Sequence, residues 1–223
     1  MRADIRLHAI LDPTRTRGRS LADATRAAID GGATLLQYRD KTAPTWTMMA
    51  RAREILAAAE GSGVPVIVND RVDVALAANA HGVHVGQDDM HPDDARRLLG
   101  PTAIVGRTVK SLDHVAAMPL DAVDYVCIGG VFATASKDNP DPPVGLDGLA
   151  RLVAAMRARR ADLPVGAIAG ITLADTPAVI AAGADGIAAI SEIFMADDPE
   201  AAARALRAAV DAALAARRSE TRR

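Results

Sequence analysis

The chain has 223 residues, half of them hydrophobic, which is ample for one buried core. Its 26 Lys and Arg against 28 Asp and Glu leave a net charge of −2, so the charge does not point to nucleic acid or an anionic membrane surface as a partner. The single cysteine, Cys127, excludes an internal disulfide and suits a reducing compartment.

The first twenty residues, MRADIRLHAILDPTRTRGRS, lack the apolar stretch and small-residue cleavage site of a signal peptide. No segment is long and apolar enough to span a bilayer as a helix, so the cytoplasm is the expected location. In chain order, short Val- and Ile-rich runs then alternate with Ala- and Arg-rich stretches at helical spacing. IRLHAIL, LLQYR, PVIVN, GVHVG, AIVGRTV, DYVCIGG, PVGAIAG and GIAAIS read as strands. Runs of this kind, without strict polar alternation, suit a parallel sheet covered on both faces. WTMMARAREILAAAE and LDGLARLVAAMRARR read as helices, with Trp46, Met48 and Met49 as packing residues.

AAIDGGATLLQ, ALAANAHGVHV and AAGADGIAAI repeat one phrase, a helix end running through Gly, Asn or Asp into a strand. That fits a left-handed C-cap and a tight loop. HPDDARRLLG carries Pro92 early, acids in the first turn, Arg96 and Arg97 later and Gly100 as a stop. ATASKDNPDPPVG is the longest irregular stretch, suited to an active-site loop and, over 133–143, long enough for a lid.

Eight strand–helix units with no obvious linker predict an α/β fold, a single (β/α)8 TIM barrel over residues 1–216, with 217–223 a frayed basic tail. An open doubly wound sheet is the alternative. Against it, the first strand is not followed by a Gly-rich dinucleotide turn.

In such a barrel the reactive groups sit at the carboxyl ends of the strands. In QYRDK, Gln37, Arg39 and Lys41 share one direction if the extended form persists, with Tyr38 and Asp40 facing away. The third strand delivers Asn69 and Asp70, and the fourth Gln87, Asp88 and Asp89. Two carboxylates from neighbouring strand ends, close to cations, are the furniture of a Mg²⁺ site. Helix capping by Asp70 and Asp89 explains the same spacing equally well. The fifth strand offers Arg107, Thr108 and Lys110, and the sixth leads to Thr134, Ser136 and Lys137. Gly170 and Ser191, after the last two strands, suit the phosphate cup usual at that place. His84, inside a strand, reads as a core or barrel-mouth residue, and the other histidines suggest nothing. Cys127 has no activating base beside it and reads as a small buried hydrophobe. The inventory is rich in anion donors and poor in bases, which suits departure of a phosphorylated group.

Taken together, QYRDK, VND, GVHVGQDD, DYVCIGGVFATASK, AIAGI and GADGIAAIS resemble the thiamine-phosphate synthase family, in family order and over nearly the whole chain. The resemblance implies a (β/α)8 barrel and a Mg²⁺-dependent transferase acting on two small molecules. A hydroxymethylpyrimidine diphosphate loses Mg-bound pyrophosphate dissociatively. A thiazole phosphate captures the pyrimidinylmethyl carbon, giving thiamine monophosphate. By position, Gln37, Arg39, Lys41, Asn69, Thr108 and Lys137 would hold the pyrimidine diphosphate. Arg39, Lys41 and Lys137 would be the catalytic cations, and Asp70 and Asp89 the metal carboxylates. Thr134, Ser136, Gly170, Ile190 and Ser191 would meet the thiazole phosphate.

Three departures stand out: GRTVKS replaces a Gly-x-Ser-x-His pattern, Gly130 stands where proline is frequent, and Ala169 replaces a first glycine. A thiazole tautomerase on the same barrel would not need the diphosphate and metal residues that this chain keeps. A phosphate-ligand sensor could lose the carboxylate pair. The sequence leaves the oligomeric state open, and a homo-oligomer is compatible with it.

Overall fold

The apolar runs form eight short parallel strands: β1 (Leu7–Leu11), β2 (Leu35–Tyr38), β3 (Val66–Asn69), β4 (Gly82–Val85), β5 (Ile104–Val109), β6 (Tyr125–Ile128), β7 (Val165–Ile168) and β8 (Gly186–Ala189). Each pairs with the next, and β8 returns to β1, so the sheet closes as a barrel in chain order. This computed structural model describes residues 3–134 and 142–221. Ser136, Lys137 and most of the loop expected as a lid lie outside the described residues.

Between the strands run α1 (Leu21–Asp30), α2 (Thr45–Ala59), α3 (Val72–Ala78), α4 (Pro92–Leu99), α5 (Leu112–Ala116), α6 (Gly145–Arg159) and α7 (Thr176–Ala181). A short α8 (Ser191–Phe194) and a long α9 (Pro199–Thr221) follow β8. Strand alternation divides the apolar residues into two layers. Leu7, Leu36, Val66, Val83, Val105, Val126, Val165 and Ile187 face outward and pack under the helices. Leu35, Ile67, Tyr125, Cys127 and Ala188 face the barrel axis, where Ala3 and Ile5, just before β1, join them.

The repeated phrase before the even-numbered strands has a structural purpose. Thr34, His81, Asp124 and Asp185 each stand one residue before β2, β4, β6 and β8. Each donates its backbone N–H to the carbonyl of Leu7, Val66, Val105 or Val165, at 2.7–2.9 Å. Its side chain accepts the N–H of that same residue: Thr34 Oγ1 at 3.0 Å, His81 Nδ1 at 3.0 Å, Asp124 Oδ2 at 2.8 Å and Asp185 Oδ2 at 2.9 Å. The N–H of each clamped residue, the first of β1, β3 and β7 and the second of β5, would otherwise lack a partner. Four two-point clamps therefore set strand register around the amino-terminal rim. Two are reinforced by arginines of α4 and α6, Arg96 on Asp124 and Arg157 on Asp185.

The helix ends follow the expected punctuation closely. Asn79 caps α3 in the left-handed region at φ 60°, and Gly100 closes α4 at φ 87°. After α1 and α7 the left-handed residue comes one place later, at Gly32 and Gly183. Two expectations fail. Trp46 is not a packing residue but 75% exposed. The buried stripe of α2 is Met48, Ala52, Ile55 and Ala59, and Trp46 lies about 200° around the helix from Met48 at 3.6 residues per turn. The tail does not fray from 217, because α9 continues to Thr221. Arg217 holds it down, donating to the carbonyls of Ile180 and Ala184 at 2.9 and 2.7 Å and pairing with Asp185 at 3.0 Å.

Asp185 thus ties β7, α6 and α9 together. Asp185→Ala removes the acceptor of one backbone N–H and the carboxylate partner of two arginines, and is expected to lower stability by about 2 kcal/mol, or roughly 4–8 °C in Tm. Urea and thermal unfolding check this. Activity per folded molecule should be unchanged, because the residue lies at the opposite rim from the carboxyl ends.

Candidate active site

Side chains two apart on each strand share a face, and on the inner face they meet at the carboxyl ends. His8 and Ile10, Gln37 and Arg39, Asn69, His84, Thr108 and Lys110, Cys127 and Gly129, Ile168 and Gly170, and Ala188 and Ile190 line one cavity of about 490 Å³. All eight strands contribute to it.

The carboxylate pair stands at the ends of β3 and β4. Asp70 follows β3 in the left-handed region at φ 62° and donates its N–H to the His84 carbonyl at 2.8 Å. Asp89 folds back to accept the Gly86 N–H at 2.7 Å. The two carboxyls hydrogen-bond each other, and the Lys41 ammonium pairs with Asp70. Burial pushes Asp70 up, but its bonds with Asp89 and Lys41 outweigh that and hold it below the usual carboxylate value. Burial, and then the bond with Asp70, push Asp89 up. Neither aspartate caps a helix. The N-caps of α3 and α4 are Arg71 and His91, so the capping alternative fails.

The cations do not all point where strand alternation suggests. Arg39 lines the cavity and pairs with Asp12 at 2.6 Å, the two side chains being 12% and 8% exposed. The strand ends at Tyr38, so Lys41 sits on a bend, half-exposed, and reaches Asp70 from outside the cavity lining. Asp40 turns away as expected, binding Arg51 and the Tyr38 hydroxyl at 2.6 and 3.0 Å. Arg107 faces the helix layer rather than the cavity, as the neighbour of inward Thr108 must, and donates to Gln87 Oε1 at 3.1 Å.

The floor is polar and hydrogen-bonded. Gln37 Nε2 lies 3.1 Å from His8 Nε2, and His84 bonds Tyr125 Oη at 2.8 Å and Thr108 Oγ1 at 2.9 Å. Burial, with a smaller push from His84, holds His8 well below the ordinary histidine value. Sequence reasoning missed His8, Tyr125 and Asp12. The available signal was strand parity, since His8 and Tyr125 fall on the same inward face as Ile10 and Cys127.

Across the barrel stand the turns after β7 and β8. Gly170 has φ 63°, and a Cβ there would come within 2.9 Å of the Phe132 side chain. Phe132 and Val131 donate to the carbonyls of Ala169 and Ile168 at 3.0 and 3.1 Å, drawing the loop after β6 onto β7. Ile190 and Ser191 line the same wall, Ser191 as the first residue of α8, and Thr134 stands at the rim. Gly130 has φ 72°, a conformation closed to proline, so this loop differs locally from a chain with proline there.

Ala169 carries a Cβ at φ 93°. Such a conformation costs about 1–2 kcal/mol for an L-residue. Ala169→Gly is therefore expected to raise stability by about 1 kcal/mol, read in urea unfolding; an unchanged midpoint would contradict the strain.

His8 gives a pH dependence. It is neutral when folded and protonates near 6.5 when unfolded, so its contribution is fully present above that pH and lost as pH falls below it. Between pH 7.5 and 5.5 the loss amounts to about 1.4 kcal/mol. Unfolding free energies measured at both pH values should differ by that much less in His8→Gln.

A family model described as thiamine monophosphate synthase matches residues 7–193. A thiamine-phosphate synthase of Agrobacterium fabrum is 52% identical over 219 residues, covering 97% of this chain and 98% of that protein. One from Roseiflexus castenholzii is 46% identical over 200 residues, 90% and 86% of the two chains. Among solved structures, the thiamine phosphate pyrophosphorylase of Pyrococcus furiosus superposes with a TM-score of 0.82 at 33% identity, covering 96% and 98%. A model that spans the barrel and relatives alike along nearly the whole chain agree on kinship: this chain belongs to the thiamine monophosphate synthase family.

Proposed function

We propose that the chain transfers a pyrimidinylmethyl group from its diphosphate to the ring nitrogen of a thiazole phosphate, releasing pyrophosphate and forming thiamine monophosphate. The observation that carries this reading is the pairing of two anion-handling edges around one cavity. Asp70 follows Asn69, which lines the cavity, and stands with Asp89 and Lys41 just outside that lining at the ends of β3 and β4; the Gly170 and Ser191 turns, which do line it, stand four strands away in the closed ring. The volume falls within the range of small-molecule sites, about 300–1,000 Å³.

The donor set fits Mg²⁺. Among the described residues no three His, Cys, Asp or Glu side chains cluster to hold a metal. An oxygen site of two carboxylates that keeps water and substrate oxygens is the habit of this ion. Asp70 and Asp89 hydrogen-bond each other, so they share a proton that a divalent cation would displace. Bound there, Mg²⁺ would neutralise charge growing on the departing diphosphate.

The rest falls to the protein's own groups. Arg39, fixed by Asp12, and Lys41 bring positive charge to the diphosphate edge. Gln37, Asn69 and Thr108 present amide and hydroxyl groups to the pyrimidine. Ile10, Ile168, Ala188 and Ile190 keep water from the cation formed as the C–O bond breaks. Thr134, Gly170, Ile190 and Ser191 hold the thiazole phosphate. Ser136 and Lys137 are assigned to thiazole and diphosphate by the family resemblance alone. The thiazole nitrogen brings its own lone pair, so no base is needed. No helix among the described residues is long and apolar enough to cross a membrane, and we place the activity in the cytoplasm.

Incubation with both substrates and Mg²⁺ should yield pyrophosphate and thiamine monophosphate in equal amounts; absence of both would overturn the reading. Asp70→Ala should fold and lose turnover by ~10²–10³-fold, the cost of one preorganised charge contact. Full activity of the native protein in chelator would remove the metal assignment.

A further inference from the structure

Tyr125 is fully buried inside the barrel, below the substrate-facing residues, and the mechanism above does not use it. Its ring occupies the space beside Gly106, where a Cβ would overlap it. Its hydroxyl lies 2.8 Å from His84 Nδ1, and the two rings are 5.5 Å apart. On the far side of the imidazole, Nε2 lies 2.9 Å from Thr108 Oγ1. Thr108 lines the cavity.

The direction of these bonds follows from proton counting. Among the described residues the Tyr125 hydroxyl has no partner other than His84 Nδ1. If the phenol only accepted, its own proton would be left unpaired in a fully buried place, which is costly. Burial pushes its ionisation well above the ordinary tyrosine value, so the proton is always there to donate. A neutral imidazole that accepts at Nδ1 carries its proton on Nε2. That N–H donates to Thr108 Oγ1, whose own proton is then unspent. Thr108 Oγ1 has no second partner among the described residues.

We infer that Tyr125 is a positioning residue: acting through His84, it fixes the Thr108 hydroxyl as a hydrogen-bond donor into the cavity, and so selects a ligand that presents an acceptor there. Resting on the reading above, that acceptor is an unprotonated ring nitrogen of the pyrimidine, not its exocyclic amino group. The reverse polarity would make Thr108 an acceptor and favour the amino group instead.

The test has two arms. In protein carrying ¹⁵N-histidine, His84, identified by its loss in His84→Gln, should show the Nε2–H tautomer, and Tyr125→Phe should abolish that preference. Kinetically, Tyr125→Phe keeps the ring and should raise KM for the pyrimidine diphosphate about tenfold, leaving KM for the thiazole phosphate within twofold. Thr108→Ala should cost about as much, and the double variant no more than either. Thr108→Ser should keep binding within threefold of the native protein. A His84 proton on Nδ1 in the native protein would overturn the relay, as would losses that multiply in the double variant. The tautomer needs neither substrate nor turnover, so it decides the relay even if the activity proves wrong or Tyr125→Phe does not fold.

Discussion

Successive side chains on a strand point to opposite faces, and in a closed barrel one face becomes the inside of the site and the other the underside of a helix. That parity governs most of what the cavity holds. On β2, Gln37 points in while Leu36 and Tyr38 lie in the outer core. On β5, Thr108 points in while Val105 and Val109 pack outward. A slip of one residue in any strand would place a leucine or valine in the cavity and an amide or hydroxyl under a helix. Register is therefore a functional quantity. Thr34, His81, Asp124 and Asp185 hold it at the opposite rim, each gripping a residue at the start of an odd strand at two points.

The two rims divide the physical tasks. At the amino ends, strand N–H groups and carbonyls are satisfied and two of the clamping aspartates are neutralised by arginine. At the carboxyl ends, three described residues other than glycine, Arg17, Asp70 and Ala169, sit at positive φ, and two carboxyls are held against each other. Backbone strain and a carboxyl pair that shares a proton, concentrated where ligands would bind, suit a preorganised electrostatic site. The clamped rim lets the other stay strained without loosening.

Much of this was legible in the chain. Eight apolar runs separated by helix-length segments fit the closed barrel because each run is too short and too uniformly apolar for a surface strand. The acid pair was legible because Asn69–Asp70 and Asp88–Asp89 follow adjacent runs, which must be neighbours in space. Spacing could not say whether the aspartates meet or cap helices; that depends on a left-handed turn at Asp70 and on Asp89 folding back to Gly86. Lys41 was misdirected because the strand stops at Tyr38, three residues before it. Trp46 was misplaced because one turn of helix carries too few residues to reveal which side is buried. His8 and Tyr125 were passed over because a polar residue in an apolar run looks like an exception until its partner on another strand is known. The partners of His8 and Tyr125 are Gln37, 29 positions away, and His84, 41 positions away.

Those long-range polar contacts also join the two halves of the site. Arg107, facing outward, donates to Gln87 Oε1, and Gln87 Nε2 donates to the Thr108 carbonyl at 2.5 Å. Gln87 lies in the turn in which the Gly86 N–H donates to the Asp89 carboxyl. The Thr108 hydroxyl and the Asp89 carboxyl are thus carried on one hydrogen-bonded frame spanning β4 and β5. A group held at Thr108 and an ion held at Asp89 would share that frame, so a shift at one end must strain the other. Transfer chemistry needs this coupling, because a heterocycle bound firmly but out of line with its diphosphate would gain affinity and no rate. Arg107, with Nε and Nη1 buried and without a hydrogen-bond partner among the described residues, costs stability where it stands. Its effect is to hold Gln87 in place, which puts that cost at the joint between recognition and catalysis.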